Sequence, residues 1–332
     1  MTLVKRIVFL PIILAALGYI TLWGGLALWF RAPGPDLLVW GLLVMYVGLG
    51  LAGMTSLLGF ANKRWLVALG VVFLALLGWW NTLRPPDTGD WAPELARQAT
   101  GSIDGEILTL SNVRAFEWRT SDDFTENWVT QSYDLSGLKT VDLFLSYWGG
   151  PAMAHYMLSF GFEDGTYLAW SIEVRREAND SFSPFADFFK AHPISIIASE
   201  ERDVVGLRTN IRGENVKLFR LVMGKEERRE LLETYLAAAS MVAEEPHWFN
   251  SVFTNCSRTS ILLARSAGIS VPTDWRIIVN GYMPEFLYDI GALNTDISLE
   301  ELYSRGQISE RAKANGLNEA FSSAVRQDVS LN

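Results

Sequence analysis

Three long apolar runs dominate the first 85 residues of the chain. They extend from Ile7 to Phe30, from Leu37 to Phe60 and from Trp65 to Leu83, and none has a charged residue inside it. A helix of about 20 apolar residues is long enough to cross a hydrocarbon core of about 30 Å. The pattern therefore predicts three transmembrane helices in a membrane domain of residues 1–85.

The basic residues that flank these runs indicate their orientation. Two basic residues precede the first run, and Lys63 and Arg64 separate the second from the third, whereas the opposite sides hold only Arg31 and Arg84. Basic residues concentrate on the cytoplasmic side of membrane proteins. The first run is too long for a signal peptide and lacks a clear small-x-small cleavage site. We therefore expect three retained spans, with residues 86–332 outside the cytoplasm.

Beyond residue 85 the hydrophobic pattern changes to short segments with the periods of strands and then of helices. Alternation of apolar and polar residues predicts strands at 112–119, 141–148, 154–162, 166–174, 193–197, 204–209 and 216–221. A helical period follows, with helices predicted at about 225–243, 256–267, 298–304 and 309–315. Strands that precede helices, without βαβ alternation, indicate an α+β domain with an antiparallel sheet.

One hairpin in this region brings two polar residues together. The runs 154–162 and 166–174 flank Glu163-Asp164-Gly165, and Asp-Gly between alternating runs favours a hairpin turn. If the loop has three residues, His155 pairs with Glu173 on the same face of the sheet, within about 5.5 Å at Cβ. A two-residue Asp-Gly turn would instead shift the pairing by one position and misplace the carboxylate.

The charge of residues 86–332 argues against a nucleic-acid partner. This part holds 22 of the 28 basic residues and 36 of the 37 acidic residues, which gives a net charge of −14. Proteins that bind polyanions present basic surfaces to them. We therefore expect no nucleic-acid or other polyanionic partner.

The sequence contains no pattern that is typical of a metal or cofactor site. The single cysteine and the three histidines are scattered, so neither a CxxC nor an HxxxH spacing occurs. The chain also lacks a glycine-rich phosphate loop and a G-x-S-x-G motif. We expect no cofactor and no metal.

Cys256 is the only cysteine, and it lies at the start of a predicted helix. It follows Thr254 and Asn255, which are suitable helix caps, and the helix ends near Gly268. The first turn of a helix favours a thiolate over a thiol. A buried free cysteine often acts only as a small hydrophobic residue. Exported domains, however, usually carry paired cysteines, so an unpaired thiol in a polar, capped position favours a reactive role.

A thiol nucleophile needs a base within hydrogen-bond reach and a group that orients this base. His192 and His247 lie in loop-like contexts beside prolines and are interpreted as structural or surface residues. The candidate catalytic set is therefore Cys256, His155 and Glu173. The alternatives are that His155 is a core histidine, or that Ser171, Tyr156 or a backbone carbonyl orients it.

The exported part resembles the Lnb N-terminal periplasmic domain family, whose members include bacterial lipoprotein N-acyltransferases. The resemblance covers most of residues 110–293, and its motifs lie at 113–116, 154–162, 171–177, 201–208, 248–250, 254–256, 275–276 and 280–288. It implies a permuted papain-like fold, as in the lecithin:retinol acyltransferases and NlpC-type proteins. One difference is architectural, because three spans precede the domain here, whereas the domain precedes the spans in Lnb proteins.

The resemblance implies a mechanism, partners and a location. Cys256 would take an acyl chain from a phospholipid as a thioester and pass it to an amine, plausibly the N-terminus of a lipoprotein. The implied location is the bacterial inner membrane, with the C-terminal domain in the periplasm. Trp248, Phe249 and Phe253, close to the thiol, would contact lipid, line an acyl tunnel or pack in the core.

Two other functional classes are open at the level of sequence. The same residues would serve a cysteine peptidase or amidase that acts on cell-wall peptides, because thiol, base and carboxylate also hydrolyse amides. The chain could alternatively be a non-catalytic, membrane-anchored binding module. The order of thiol, histidine and carboxylate in the chain argues against this last class.

Overall fold

A computed structural model describes residues 3–180, 183–327 and 329, with side chains from residue 9 onwards. The described residues form two compact units. The membrane unit comprises the chain up to Pro85 together with Ser183–Ala191, and the exported unit comprises Pro86–Phe182 and His192–Asn332.

The membrane unit contains three long helices: α1 (Leu3–Arg31), α2 (Asp36–Leu57) and α3 (Arg64–Thr82). Each is long and apolar enough to cross a membrane. The structure therefore confirms the prediction of three apolar N-terminal helices.

Small residues allow α1 and α2 to pack closely. A Cβ atom on Gly24 would lie 2.4 Å from the ring of Tyr46, and one on Gly50 would lie 2.3 Å from Thr21. The Tyr46 hydroxyl donates a hydrogen bond of 3.1 Å to the carbonyl oxygen of Ile20. Small residues commonly bring membrane helices together in this way, because lipid offers no hydrophobic drive for helix association.

A nine-residue segment from the second half of the chain belongs to the membrane unit. Ser183–Ala191 contains one short helix, α4 (Pro184–Asp187). The ring of Phe189 stacks on Phe30 at 5.3 Å, near the end of α1. The hydrophobic pattern predicts that these residues belong to the exported domain, whereas the structure groups them with the membrane helices.

The exported unit is built on one large sheet. Its strands are β1 (Thr100–Asp104), β2 (Ile107–Arg114), β5 (Trp128–Asp134), β6 (Leu138–Tyr147), β7 (Ala154–Phe162), β8 (Tyr167–Val174), β9 (Ile194–Ser199) and β10 (Asn215–Arg220). Their order is β1-β2-β9-β8-β7-β6-β10, and β5 pairs with β2. Two short strands, β3 (Glu117–Trp118) and β4 (Phe124–Thr125), form a separate ribbon.

The helices of the exported unit follow mainly in its second half. They are α5 (Glu201–Gly206), α6 (Lys225–Glu244), α7 (Cys256–Ser266), α8 (Met283–Asp289), α9 (Leu299–Gly306), α10 (Ser309–Asn315) and α11 (Phe321–Ala324). A π-helical turn, Leu207–Ile211, continues α5. Short 3-10 turns cover Pro93–Leu95, Leu135–Gly137, Trp275–Ile277 and Asn280–Tyr282.

All pairs in the large sheet are antiparallel except that of β2 with β9. This confirms the predicted α+β class with a mostly antiparallel sheet. The permuted papain-like arrangement stays a prediction.

One predicted strand is wrong, because residues 204–209 form the end of α5 and the following π-helical turn. The adjacent β-branched residues Val204 and Val205 favour a strand locally. Tertiary contacts favour the helix instead. The Asp203 carboxylate, in the first turn of α5, accepts hydrogen bonds of 2.8 Å from the backbone N–H of Phe116 and the indole N–H of Trp118.

Both faces of the sheet are buried. One face packs on α6 and α7, and its core includes Phe160, Trp170 and Tyr235. The other face packs on α5, α10 and α11, and its core includes Met157 and Phe321. Because side chains alternate along a strand, neighbouring residues of the central strand β7 enter different cores. The strand is therefore held rigidly along its length.

A buried ion pair network lies on the second of these faces. Arg326 contacts Asp142 at 2.8 Å and Glu201 at 2.5 Å, and all three side chains are at most 3 % exposed. Arg220 also pairs with Asp142. The network ties a residue close to the end of the chain to the middle of the sheet.

Arg326→Met is expected to destabilise the protein by about 3–5 kcal/mol, because it leaves buried carboxylates without their main counter-charge. Thermal unfolding of the full-length protein in detergent checks this, with an expected fall in Tm on the order of 10 °C. The matched control is Arg119→Met, which breaks an exposed pair with Asp123 and is expected to leave Tm almost unchanged. Equal Tm values for the two variants would contradict the assignment.

Candidate active site

His155 lies near the start of β7, at the point where the ladder to β8 opens. The last pair in that ladder joins Met157 to Ser171, and the same register places His155 opposite Glu173. The three-residue loop that this register requires is present, because the backbone N–H of Phe162 donates to the Thr166 carbonyl at 2.9 Å. The predicted register is therefore correct.

One nitrogen of the His155 ring faces two oxygen atoms. Its Nε2 atom lies 2.7 Å from the Ser171 hydroxyl and 3.1 Å from Oε1 of Glu173. The Ser171 hydroxyl donates to the same carboxylate oxygen at 2.6 Å. Ser171 and Glu173, which the sequence offered as alternatives, therefore act together on one nitrogen. A proton on Nε2 satisfies this arrangement and leaves Nδ1 for the thiol.

The carboxylate of Glu173 has a further partner that the sequence did not assign to the site. Arg208 donates from Nη2 to Oε1 of Glu173 at 2.9 Å, and its side chain is only 7 % exposed. Arg208 lies in the π-helical turn after α5, within the segment that the hydrophobic pattern had assigned to a strand. Its positive charge keeps the carboxylate ionised and fixes its position.

Cys256 is the first residue of α7, as the sequence predicted. Asn255 is the N-cap, and its side chain accepts a hydrogen bond from the backbone N–H of Arg258 at 2.8 Å. The Cys256 side chain is partly exposed. The His155 imidazole and the backbone N–H of Tyr156 both lower the pKa of its thiol. The opening of the β7–β8 ladder thus gives a backbone donor to the sulfur.

Burial disfavours the charged forms of His155 and Cys256, and neighbouring groups of opposite charge favour them. Burial, the largest effect, disfavours the imidazolium of His155, and the Arg208 guanidinium opposes it as well. The Glu173 carboxylate and the Cys256 sulfur outweigh both effects and raise the pKa of His155 to about 9. Burial likewise disfavours the thiolate, but His155 and the Tyr156 N–H lower the pKa of Cys256. Both shifts favour the pair of thiolate and imidazolium over the neutral thiol and imidazole.

The pKa of Glu173 is likewise set by burial and by neighbouring charges of opposite effect. Burial raises its pKa, but the charges of His155 and Arg208 hold this pKa well below the usual range. The carboxylate therefore stays ionised across the neutral range. It provides the negative charge that the imidazolium needs.

Asn280 holds the start of β7 in place beside the thiol. Its side chain accepts from the Ala154 N–H at 2.9 Å and donates to the Ala154 carbonyl at 2.7 Å, and Nδ2 lies 4.0 Å from the sulfur of Cys256. The next residue must be small, because a Cβ atom on Gly281 would lie 2.0 Å from the carbonyl oxygen of Pro151. In the sequence this Asn-Gly pair is only part of the motif at 280–288, and the candidate catalytic set does not include Asn280.

Asn280→Ala is expected to lower stability by about 2–4 kcal/mol, because it leaves a buried backbone N–H and C=O of Ala154 without partners. It is also expected to slow alkylation of Cys256, since His155 is the residue after Ala154. Thermal unfolding and iodoacetamide labelling of the full-length protein measure the two effects. Asn318→Ala, in an exposed turn, is the control, and an Asn280→Ala variant that matches it in both assays would remove this positioning role.

The other residues considered in the sequence lie in mixed environments. His192 is buried, with Nε2 3.2 Å from a carboxylate oxygen of Asp180, and His247 is exposed. Phe249 is buried in the core, whereas Phe253 is 61 % exposed. Trp248 is half-buried. Phe249 therefore follows the core-packing alternative, and Phe253 does not.

Among the described residues no group of three or more His, Cys, Asp or Glu side chains could hold a metal ion. The chemistry that the arrangement itself supplies is that of an activated thiolate. In such chemistry a sulfur can act as the nucleophile and an imidazolium as the acid, and the N–H groups of the first helical turn are donors that lack acceptors within the helix.

The Lnb N-terminal periplasmic domain is the family whose model matches the chain, over residues 124–281. The match agrees with the family that the sequence motifs resemble and confirms that resemblance over this range. The matched range contains every residue of the site described above, and it leaves out the three membrane helices. No curated protein and no solved structure matches the chain.

Proposed function

We propose that this chain, whose residues 124–281 match the Lnb N-terminal periplasmic domain, is a membrane-anchored thiol acyltransferase. The observation that carries the proposal is the grouping of three side chains, because His155 lowers the pKa of the Cys256 thiol and its Nε2 lies 3.1 Å from Oε1 of Glu173. A lowered thiol pKa in a partly exposed position is typical of catalytic cysteines. A non-catalytic binding module has no need for this arrangement.

The first half of the reaction forms a thioester. The Cys256 thiolate attacks the carbonyl carbon of an acyl ester in a phospholipid and produces a tetrahedral oxyanion. The backbone N–H groups at the start of α7 stabilise this oxyanion. The C–O bond then breaks, and the His155 imidazolium gives its proton to the leaving oxygen. The products are the acyl thioester on Cys256, a lysophospholipid and a neutral imidazole.

The second half transfers the acyl chain to an amine. The neutral imidazole of His155 takes a proton from the attacking amine, and a second tetrahedral intermediate forms at the thioester carbon. The C–S bond breaks, the amide is released, and the Cys256 thiolate returns beside the imidazolium. The acceptor in this proposal is the N-terminal amino group of a lipoprotein.

The membrane helices favour a lipid acyl donor over a cell-wall peptide as the substrate. A phospholipid and a lipoprotein both lie in the bilayer, so anchoring raises their effective concentration at the thiol. Within this proposal the chain crosses the bacterial inner membrane three times and places the exported unit in the periplasm. The cysteine peptidase or amidase remains the competing function for the same side chains.

The thioester is the intermediate that distinguishes these functions. Full-length protein in detergent is incubated with a phospholipid of one defined acyl chain and no amine, and its intact mass is measured. We expect a mass gain of one acyl group, which neutral hydroxylamine removes. Cleavage of muropeptides without any acyl adduct would instead support the peptidase, and absence of both reactions would contradict the proposed chemistry.

A further inference from the structure

An apolar groove runs along the membrane unit between its three helices. Its volume is about 750 Å³, which lies within the range of small-molecule and lipid sites. Leu28 and Trp79 line one end, and Trp65 lines the other. The distance from Trp65 to Trp79 along α3 is about 21 Å at a rise of about 1.5 Å per residue. The groove is therefore long enough for an extended acyl chain.

Small residues create the concave wall of the groove. Gly48 and Ala52 of α2 and Ala75 of α3 line it. A Cβ atom on Gly48 would meet no other atom within 4 Å, so the space beside this residue is unfilled. In a bilayer such a space is filled by hydrocarbon, since water there would leave its hydrogen bonds unsatisfied.

A cluster of cations lies at the Leu28 and Trp79 end of this groove. Arg31 follows the groove residue Leu28 by one helical turn, and Lys190 donates from Nζ to the carbonyl oxygen of Trp80 at 2.7 Å. Phe30 stacks on Phe189, and this contact brings their sequence neighbours Arg31 and Lys190 to the same end of the groove. Arg84 lies two residues beyond the end of α3.

The charges of Arg31 and Arg84 act on Lys190. Its pKa is lowered by burial and then by the charges of Arg31 and Arg84. Two acidic residues of the membrane unit lie close to these cations in sequence. Asp36, which follows Arg31, is exposed, and Asp187, which precedes Lys190, is buried. Lys190 uses one of its three N–H donors on the Trp80 carbonyl, which leaves two for a ligand.

From the groove and the cations together, we propose that the membrane unit binds one glycerophospholipid molecule. An acyl chain lies in the groove, and the phosphate lies beside Arg31, Arg84 and Lys190. The aromatic rings around this end belong to the interfacial region, where such rings are enriched. This inference rests on the proposed function in one respect, because it assigns the bound lipid as the acyl donor.

The groove is tested with Gly48→Phe, which fills it at mid-length. Full-length protein in detergent is titrated with palmitoyl-oleoyl phosphatidylethanolamine, and bound lipid is counted by native mass spectrometry. We expect one bound lipid in the wild type and at least about tenfold weaker binding in the variant. Gly70→Phe is the matched control, because a Cβ atom at Gly70 also meets nothing and this residue does not line the groove. Equal affinities of both variants would overturn the groove assignment.

The cationic end is tested with the double variant Arg84→Gln and Lys190→Gln. Loss of charge-assisted hydrogen bonds to a phosphate is expected to weaken phospholipid binding about tenfold or more. Dioleoylglycerol, which has no phosphate, is expected to bind equally to the wild type and the double variant. Lys63→Gln, at the opposite end of the helices, is the control. Unchanged phospholipid affinity in the double variant would refute the phosphate site.

Cys256→Ala separates this inference from the proposed function. The variant is expected to bind one phospholipid with wild-type affinity, since residue 256 does not line the groove. Specific lipid binding without any acyl transfer by the wild type would leave the site intact and refute the acyltransferase. Acyl transfer that persists in Gly48→Phe at the wild-type rate would leave the acyltransferase intact and refute the groove as the site of the acyl donor.

Discussion

Cys256→Ala is expected to abolish acyl transfer, with a loss of about 10⁴-fold or more in kcat/KM. The variant removes the atom that forms the covalent bond, and no second thiol exists in the chain to replace it. The measurement is N-acylation of a diacylglyceryl-modified lipopeptide in membranes that contain full-length protein. The same membranes serve to confirm equal protein levels.

Two further variants make this result specific. Cys256→Ser keeps the shape of the side chain, but a hydroxyl is not ionised at neutral pH, so we expect transfer to stay close to that of the alanine variant. Ser304→Ala, on an exposed position of α9, controls for a general effect of substitution. Wild-type transfer by Cys256→Ala would remove the thiol from the mechanism and would falsify the proposed function.

His155→Ala is expected to lower transfer by about 10²–10⁴-fold, the usual contribution of a general acid and base. It is also expected to change the ionisation of the thiol. In the wild type, His155 lowers the pKa of Cys256, so alkylation by iodoacetamide should reach its plateau at a lower pH than that of an ordinary thiol. Without the imidazole, alkylation should rise with pH towards the ordinary thiol pKa of about 8.5.

The pH range in which the wild type transfers acyl groups is limited by the ionisation of Cys256 and His155. Transfer should fall at low pH as the thiolate is protonated through its lowered pKa. At high pH, the imidazolium loses its proton through a pKa of about 9, so the leaving oxygen loses its proton donor and transfer falls again. His247→Ala, at an exposed histidine, is the control. An alkylation profile of His155→Ala that matches the wild type would show that the imidazole does not hold the thiolate.

The central strands and the thiol helix were predictable because their signals are local. Asp164 and Gly165 specify a turn, and the alternation on either side specifies which residues face each other. The N-cap Asn255 and the apolar stripe that follows it specify where α7 begins. The pairing of His155 with Glu173 follows from such local rules, and so does the location of Cys256.

The remaining parts of the site depend on contacts between distant segments, which local patterns do not encode. Arg208 reaches Glu173 across 35 positions of sequence, and Asn280 reaches Ala154 across 126. The pattern of Val204 and Val205 even favoured the wrong element. Only the fold brings these side chains to the thiol.

The sequence also does not predict that the segment Ser183–Ala191 belongs with the membrane helices. It is short, it carries two charged residues, and its apolar residues have no clear period. Its grouping with the membrane helices depends on ring contacts such as that of Phe189 with Trp80 at 6.4 Å. A hydrophobic window of transmembrane length would not detect nine such residues.

This segment has a practical consequence for anyone who wishes to produce the exported unit by itself. In the described residues the polypeptide leaves or enters the membrane unit at three places: after Pro85, before Ser183 and after Ala191. A truncation that starts after Pro85 would still carry Phe189, which is 6 % exposed in the intact protein, without the rings that cover it. A soluble version therefore needs two excisions, with a short polar linker in place of the aromatic segment.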